Sequence, residues 1–275
     1  MTNRSHSGYV SLLMDFERIR QIGIRAAYRG GDILRGHFGR QIEIRKKGAI
    51  DLVTAADVES EQAIVEIIGS AFPDHGILAE ETGLKEGLPE KRWIIDPLDG
   101  TTNFAHGLGI FAVSIAFMYQ AEPVFGIVFN PVSGEAFTAL AGQGAFLNSQ
   151  AIGVSSTGTV RDSLLVTGFP YDLAQMPRNV LNRFASCITA AQGIRRLGSA
   201  ALDLCYVACG RFDGFWEENL KPWDTAAGLV IAQQAGAKIT DFGGRPYDIN
   251  HKQILATNGH IHSEMRTLLN IEETQ

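Results

Sequence analysis

The sequence predicts a layered α/β protein, on three observations. Between residues 111 and 152, four segments alternate or run apolar between turn signals, the pattern of an antiparallel meander. From about residue 155, strand-like and helix-like segments follow one another in turn, which implies a mixed or parallel sheet with helices on its faces. The chain has 275 residues, 45% hydrophobic and 20% charged, enough to bury a substantial interior.

Residues 1–13 read as a disordered extension, with Met14 a second candidate start. Phe16, Ile19, Ile22, Ala26, Ile33 and Phe38 place a helical stripe over 15–38, loosened at Gly30-Gly31. Ile42 and Ile44 alternate with polar residues, so 41–46 is a strand. A loop with Lys46, Lys47 and Asp51 leads to a helix whose Ile64, Ile67, Ile68 and Ala71 form one face. By itself, Asp57 is a first-turn acid on that helix. A short strand over 76–81 closes on Glu80 and Glu81, and 83–91 is a solvated loop. The four meander segments are 111–120, 123–130, 135–141 and 144–152. A boundary over 153–158 separates an N-terminal half, 14–153, from a C-terminal half, 154–275. The second half runs strand 163–168, helix 176–192, strand 194–197, helix 199–210 and strand 213–217. It ends with helix 224–236, strands 237–242 and 254–257, and a helix from His260.

The net charge of −6, with no long Lys/Arg block, argues against nucleic acid or anionic membrane as the main partner. Three cysteines point to a reducing compartment rather than a disulfide framework. Cys205 and Cys209 lack the further nearby ligands that zinc needs and read as thiols packed in the interior. No apolar run reaches the ~18 residues of a membrane span, and a cytoplasmic protein is expected.

One stretch carries chemistry. Trp93-Ile94-Ile95 reads as a buried strand ending at Asp96, where Pro97 interrupts the ladder. Asp99 stands at an N-cap position, and Gly100, Thr101 and Thr102 offer backbone N–H groups in front of it. Two carboxylates three residues apart beside an anion-binding helix start point to metal-assisted phosphate chemistry, with a hard cation such as Mg²⁺. The bland alternative is a turn with an N-cap. Two more helix starts have the same character. Gly198-Ser199-Ala200 opens one with a hydroxyl cap, and Trp223-Asp224 opens another with Asp224 at the cap. Three such starts are able to converge on one anion.

In these blocks the chain resembles the inositol monophosphatase family, in particular its bacterial members, among the Mg²⁺-dependent, lithium-sensitive sugar phosphatases. Residues 93–104 match one family signature in full, and 223–228 match the other with Glu217 upstream. Residues 51–57 and Ala79-Glu80-Glu81-Thr82 match two further blocks. The resemblance extends over about 14–270. It implies an αβαβα sandwich and a homodimer. It also implies two or three Mg²⁺ ions: Glu80, Asp96 and the Leu98 carbonyl hold the first, Asp96, Asp99 and Asp224 the second, and a weaker third leans on Glu80. Four carboxylates in one pocket repel one another unless cations neutralise them. Glu80 and Thr101 are implied to orient the attacking water, with Asp57 accepting from Thr101. Gly100 and Thr101 bind phosphate, and no phosphoenzyme forms. Asp99, Gly198, Ser199, Ala200 and Glu217 face the sugar hydroxyls, and Asp51 with Lys46 or Lys47 supports the metal site. The loop over 167–172 is bacterial in type, and Ser199 stands where Thr is common, so substrate identity stays open. The expected reaction is hydrolysis of myo-inositol 1-phosphate. Fructose-1,6-bisphosphatase and histidinol-phosphate phosphatase are the alternatives on one scaffold, and binding to the transcription machinery is the alternative of another class.

Overall fold

Glycines on one face of the first helix let it lie close on a sheet. Helix α1 (Phe16–His37) is unbroken through Gly30-Gly31, contrary to the loosening expected there. A Cβ on Gly31 would stand 2.5 Å from the Phe129 ring, and one on Gly30 would stand 2.7 Å from Ile64. The pair is a contact surface, and its cause is packing rather than chain flexibility. This computed structural model describes residues 15–40, 44–46, 52–169 and 178–270. The 1–13 extension with Met14, Asp51, Lys47, the Lys46 side chain and residues 170–172 of the bacterial-type loop lie outside what is described.

After α1 come the ribbon β1 (Ile44–Lys46) and β2 (Leu52–Thr54), then helix α2 (Ala55–Ala71). Strands β3 (His75–Ala79), β4 (Gly83–Lys85) and β5 (Leu88–Asp99) follow, then the short helix α3 (Thr101–Ala105). The stretch 83–91, expected as a loop, is a strand pair instead: β4 pairs with β3, and β5 begins at Leu88. The meander is β6 (Ala112–Tyr119), β7 (Glu122–Asn130), β8 (Glu135–Leu140), β9 (Ala145–Leu147) and β10 (Gln150–Ile152). Its expected last strand is a hairpin folded at Asn148-Ser149, both with positive φ, the geometry a two-residue hairpin turn requires. These strands form one eight-stranded sheet in the order β10-β9-β8-β7-β6-β5-β3-β4.

The second half supplies β11 (Leu164–Thr167), α4 (Arg178–Ala190), β12 (Gly193–Arg195), α5 (Ala200–Ala208), β13 (Gly214–Glu218) and α6 (Pro222–Gln234). It ends with β14 (Lys238–Thr240), β15 (Gln253–Thr257) and α7 (His262–Leu269), two residues later than expected. The five-stranded sheet, β12-β11-β13-β15-β14, is mixed: β11 is parallel to β12 and β13, and β15 is antiparallel to both its neighbours.

Alternation along the strands assigns the layers. Trp93, Ile95, Phe117 and Phe125 face Ile19, Leu34 and Ile64 of α1 and α2. On the sheet's other face, Ile94, Ala116 and Val128 meet Leu202 and Cys205 of α5 and Ala227 and Val230 of α6. The opposite side of α5, Leu204 and Val207, packs on Val166, Phe215 and Ile254 of the smaller sheet. Leu165, Trp216 and Leu255 then cover Cys187 of α4 and Met265 and Leu269 of α7. The order is αβαβα, as the resemblance implies. Helix α5 is apolar almost all round because it lies between two sheets. Among the described residues, no helix is long and apolar enough to cross a membrane.

Candidate active site

Strands β3 and β5 run parallel with Ala79 opposite Ile95. The next residue on each chain is therefore an acid at the same sheet end, Glu80 beside Asp96. The Glu80 N–H donates to the Ile95 carbonyl at 3.2 Å. Pro97 does not end β5, although the sequence places the strand's end at Asp96. It displaces the register: Asp96 pairs with Ser114, and pairing resumes with Asp99 opposite Ala112. The Leu98 N–H donates to Asp96 Oδ1 at 2.9 Å and closes the bulge. Glu80, Asp96, Leu98, Asp99, Thr101 and Asp224 all line one cavity.

Two expected caps are corrected. The residue before α3 is Gly100, with φ +100°, so Asp99 ends the strand rather than capping the helix. A Cβ on Gly100 would stand 3.0 Å from the Ile110 carbonyl, and the backbone angle itself favours glycine. Helix α6 is preceded by Lys221, with Pro222 in its first turn, where proline's missing N–H costs nothing. Asp224 is its third residue, and its carboxylate accepts from the Lys221 N–H at 2.7 Å, the acid's part in a capping box.

Burial sets the electrostatics. Asp96 is 2% exposed, and its carboxyl is pushed well above the usual range, first by burial and then by Glu80, Asp99 and Asp224. Asp99 is pushed up to about 6 by burial, against hydrogen bonds from Ser199, Ala201 and Ala200. Glu217, on β13, is raised by burial and then by Asp224, with Arg196 opposing. Among the described residues, no three His, Cys, Asp or Glu side chains are gathered tightly around one point. The acids ring a cavity instead, as like charges do. An all-oxygen set of carboxylates plus a carbonyl, with charge to be neutralised, fits Mg²⁺ and suits neither zinc nor a soft metal.

Thr101 and Asp57 meet as expected. Asp57 is buried in the first turn of α2. The Thr101 hydroxyl stands 3.4 Å from Asp57 Oδ1 and 3.1 Å from the Leu98 carbonyl oxygen. With one proton to give, it has two competing acceptors, a choice the sequence did not reveal.

A second cavity adjoins the first and shares Asp99, Gly100 and Asp224 with it. Gly198, Ser199, Ala200 and Glu217 stand on its wall. Ser199 caps α5, accepting from the Leu202 N–H, and donates to Asp99 Oδ2 at 2.6 Å. The Ala201 N–H donates to the same oxygen at 2.8 Å. The Ser199 proton is thus committed to Asp99, which leaves the hydroxyl only acceptor capacity toward a ligand. Gly168 seats Glu217, since a Cβ there would stand 2.2 Å from the carboxylate.

Three supporting residues stand outside the sequence motifs. Glu61, fully buried, accepts from the N–H groups of Glu81 and Thr82 at 2.8 Å each and so fixes the turn that carries Glu80. Its signal is the helical spacing of Asp57, Ser60, Glu61, Ile64 and Ile68, a core-facing stripe whose first part is polar. Asn103 donates to the carbonyls of Ile110 and Leu197 at 2.7 and 2.8 Å, joining α3 to the loop before α5. Arg196 lines the second cavity. The sequence carries no signal for these last two.

Comparison with known proteins places this arrangement. The sequence profile of the inositol monophosphatase family matches residues 15–273. The chain is 44% identical to an inositol-1-monophosphatase of Synechocystis sp., over 93% of this chain and 90% of that one. It is 43% identical to the Nus factor SuhB of Pseudomonas aeruginosa, over 86% of this chain and 90% of the relative. A solved inositol monophosphatase from Anabaena (Nostoc) sp. superposes with a TM-score of 0.85 at 42% identity, covering 93% of this chain and 96% of that one.

Proposed function

Because the chain belongs to the inositol monophosphatase family, we propose that it is a Mg²⁺-dependent phosphatase releasing phosphate from myo-inositol 1-phosphate. The observation that carries this reading is the single cavity walled by Glu80, Asp96, Asp99 and Asp224, opening into a polar pocket with Glu217. Glu80, Asp96, the Leu98 carbonyl, Asp99 and Asp224 would hold two or three Mg²⁺. Bound there, Mg²⁺ supplies countercharge and Lewis acidity for attack by water on phosphorus.

The chain's own groups do the rest. The N–H groups of Gly100, which precedes α3, and of Thr101, its first residue, would face the phosphate oxygens, since a helix start leaves such groups without intrahelical acceptors. With the Leu98 carbonyl taken up as a Mg²⁺ ligand, the Thr101 proton would go to Asp57, which leaves the hydroxyl lone pair to accept from the attacking water and fix its direction. Glu80 accepts one proton of the same water as general base, and the polyol oxygen, its bond to phosphorus broken, leaves with a proton as the free alcohol. Asp99, Glu217 and the backbone at 198–200 receive the polyol hydroxyls, with Ser199 holding Asp99 in place. By the resemblance, Asp51 and Lys46 or Lys47 would support the metal site.

A second reading comes from the relative named Nus factor SuhB: binding to the transcription machinery. Binding alone makes no use of four acids lining one cavity, two of them, Asp96 and Asp99, pushed up by burial, so catalysis is the reading adopted. The test is phosphate release from myo-inositol 1-phosphate, fructose 1,6-bisphosphate and histidinol phosphate, with and without Mg²⁺. The inositol ester is expected to be preferred and Li⁺ to inhibit uncompetitively. Release from none of the three with Mg²⁺ present would overturn the reading.

A further inference from the structure

The substrate pocket holds one charged side chain that the family resemblance leaves without a role. Arg196 lines the cavity together with the acids Asp99, Glu217 and Asp224. It follows β12 (Gly193–Arg195) in the loop that leads to α5. Its side chain is exposed, and among the described residues it makes no ion pair and no hydrogen bond with another side chain. Its guanidinium lies on the Gly198 backbone: a Cβ at Gly198 would stand 2.6 Å from Arg196 Nη1. Glu217 is seated in the same way on Gly168, where a Cβ would stand 2.2 Å from its carboxylate. A donor fork and an acceptor therefore line one cavity, each held against a bare stretch of backbone.

We infer that Arg196 is a specificity-determining residue, which works with Glu217 to read the hydroxyls of an uncharged polyol leaving group. This rests on the phosphatase reading of the same site. A hydroxyl both donates and accepts. Carboxylates alone satisfy only the donating half, and a guanidinium supplies the missing half with up to five N–H groups. The pocket's charge selects against the other use of an arginine, as the seat of a second phosphate. Glu217, which holds no Mg²⁺ in the proposed scheme, lines the cavity beside it, and a second anionic group would be desolvated against that carboxylate.

The test compares Arg196→Ala and Arg196→Lys with wild type on three phosphate esters, with Mg²⁺ present. Myo-inositol 1-phosphate offers hydroxyls, p-nitrophenyl phosphate offers none, and fructose 1,6-bisphosphate adds a second anion. The expected result for Arg196→Ala is a kcat/KM for the inositol ester that falls at least tenfold relative to the aryl ester, mainly through KM. Lysine should restore less than half of the loss, because an ammonium lacks the fork. An equal loss on the inositol and aryl esters would overturn the proposal. So would a loss largest on the bisphosphate, which would make Arg196 an anion seat, or no change in any of them. Failure of the wild type on all three esters would instead remove the phosphatase reading, and this proposal with it.

Discussion

A carboxylate stripped of water beside other acids is costly to keep ionised, and Asp96 stands in that position, 2% exposed with Glu80, Asp99 and Asp224 around it. Asp96→Asn removes the charge and keeps an oxygen for the Leu98 N–H. Turnover should be nearly abolished while the protein stays folded. In chelator the variant should melt no lower than wild type, and the stabilisation by Mg²⁺, about 2.7 kcal/mol at a hundredfold excess over Kd and read as a rise in melting temperature, should be lost or much reduced. Calorimetry with and without Mg²⁺ checks both. Thr101 and Asp57 test water orientation separately from metal binding. Thr101→Ala and Asp57→Asn should each lower turnover by on the order of 10²–10⁴ with Mg²⁺ affinity nearly unchanged, and the double variant should be little worse than either. Stability loss of about 1 kcal/mol with intact turnover would reduce both to structural residues of a helix's first turn. At this scale the sequence was informative where chemistry is contiguous. Asp96 and Asp99 lie in one short run, whereas Asn103 donates to Leu197, 94 residues away, and Arg196 reaches the cavity from a loop.

Elements were legible where hydrophobic period and turn signals agreed, as in α2, α4, α5 and the meander. They failed where one residue has two physical meanings. Pro97 read as a strand end and is a bulge, because the ladder tolerates one lost N–H where the register shifts. Gly30-Gly31 read as a weak point and is a contact surface. That reversal is testable. By helix propensity, Gly31→Ala should stabilise by about 1 kcal/mol. The added methyl would meet the Phe129 ring at 2.5 Å, and overpacking of a filled core costs about 1–3 kcal/mol. The clash should outweigh the propensity, with a lowered urea midpoint and an unchanged m-value. A raised midpoint would mean that the sheet yields to α1.

At the scale of the whole molecule, alternation of strands and helices was enough for a layered α/β fold. It did not say that α5 and α6 lie between two sheets, because a helix buried on all sides has no polar face to betray its neighbours. The outer layer, joined through His262 at the start of α7, carries a pH dependence. Its ring nitrogens meet the Thr240 and Thr257 hydroxyls at 3.0 and 2.9 Å, and burial pushes its pKa down to about 4, from an unfolded value near 6.5. Below pH 6.5 the unfolded chain takes up a proton that the folded one refuses until about pH 4. His262 should therefore support the fold fully above pH 6.5 and progressively less down to pH 4, by roughly 3 kcal/mol in all. The buried acids of the site act in the opposite sense, so the comparison is wild type against His262→Asn, whose melting temperature should fall less between pH 7 and 4.5. The central claim, that acids drawn together from β3, β5 and α6 serve Mg²⁺-assisted phosphate hydrolysis, is tested most directly by one titration. Phosphate release from myo-inositol 1-phosphate is followed after removal of divalent cations and then as Mg²⁺ is returned. The account predicts no release in chelator and saturable recovery with Mg²⁺; release that is indifferent to Mg²⁺, or absent at every concentration, would contradict it.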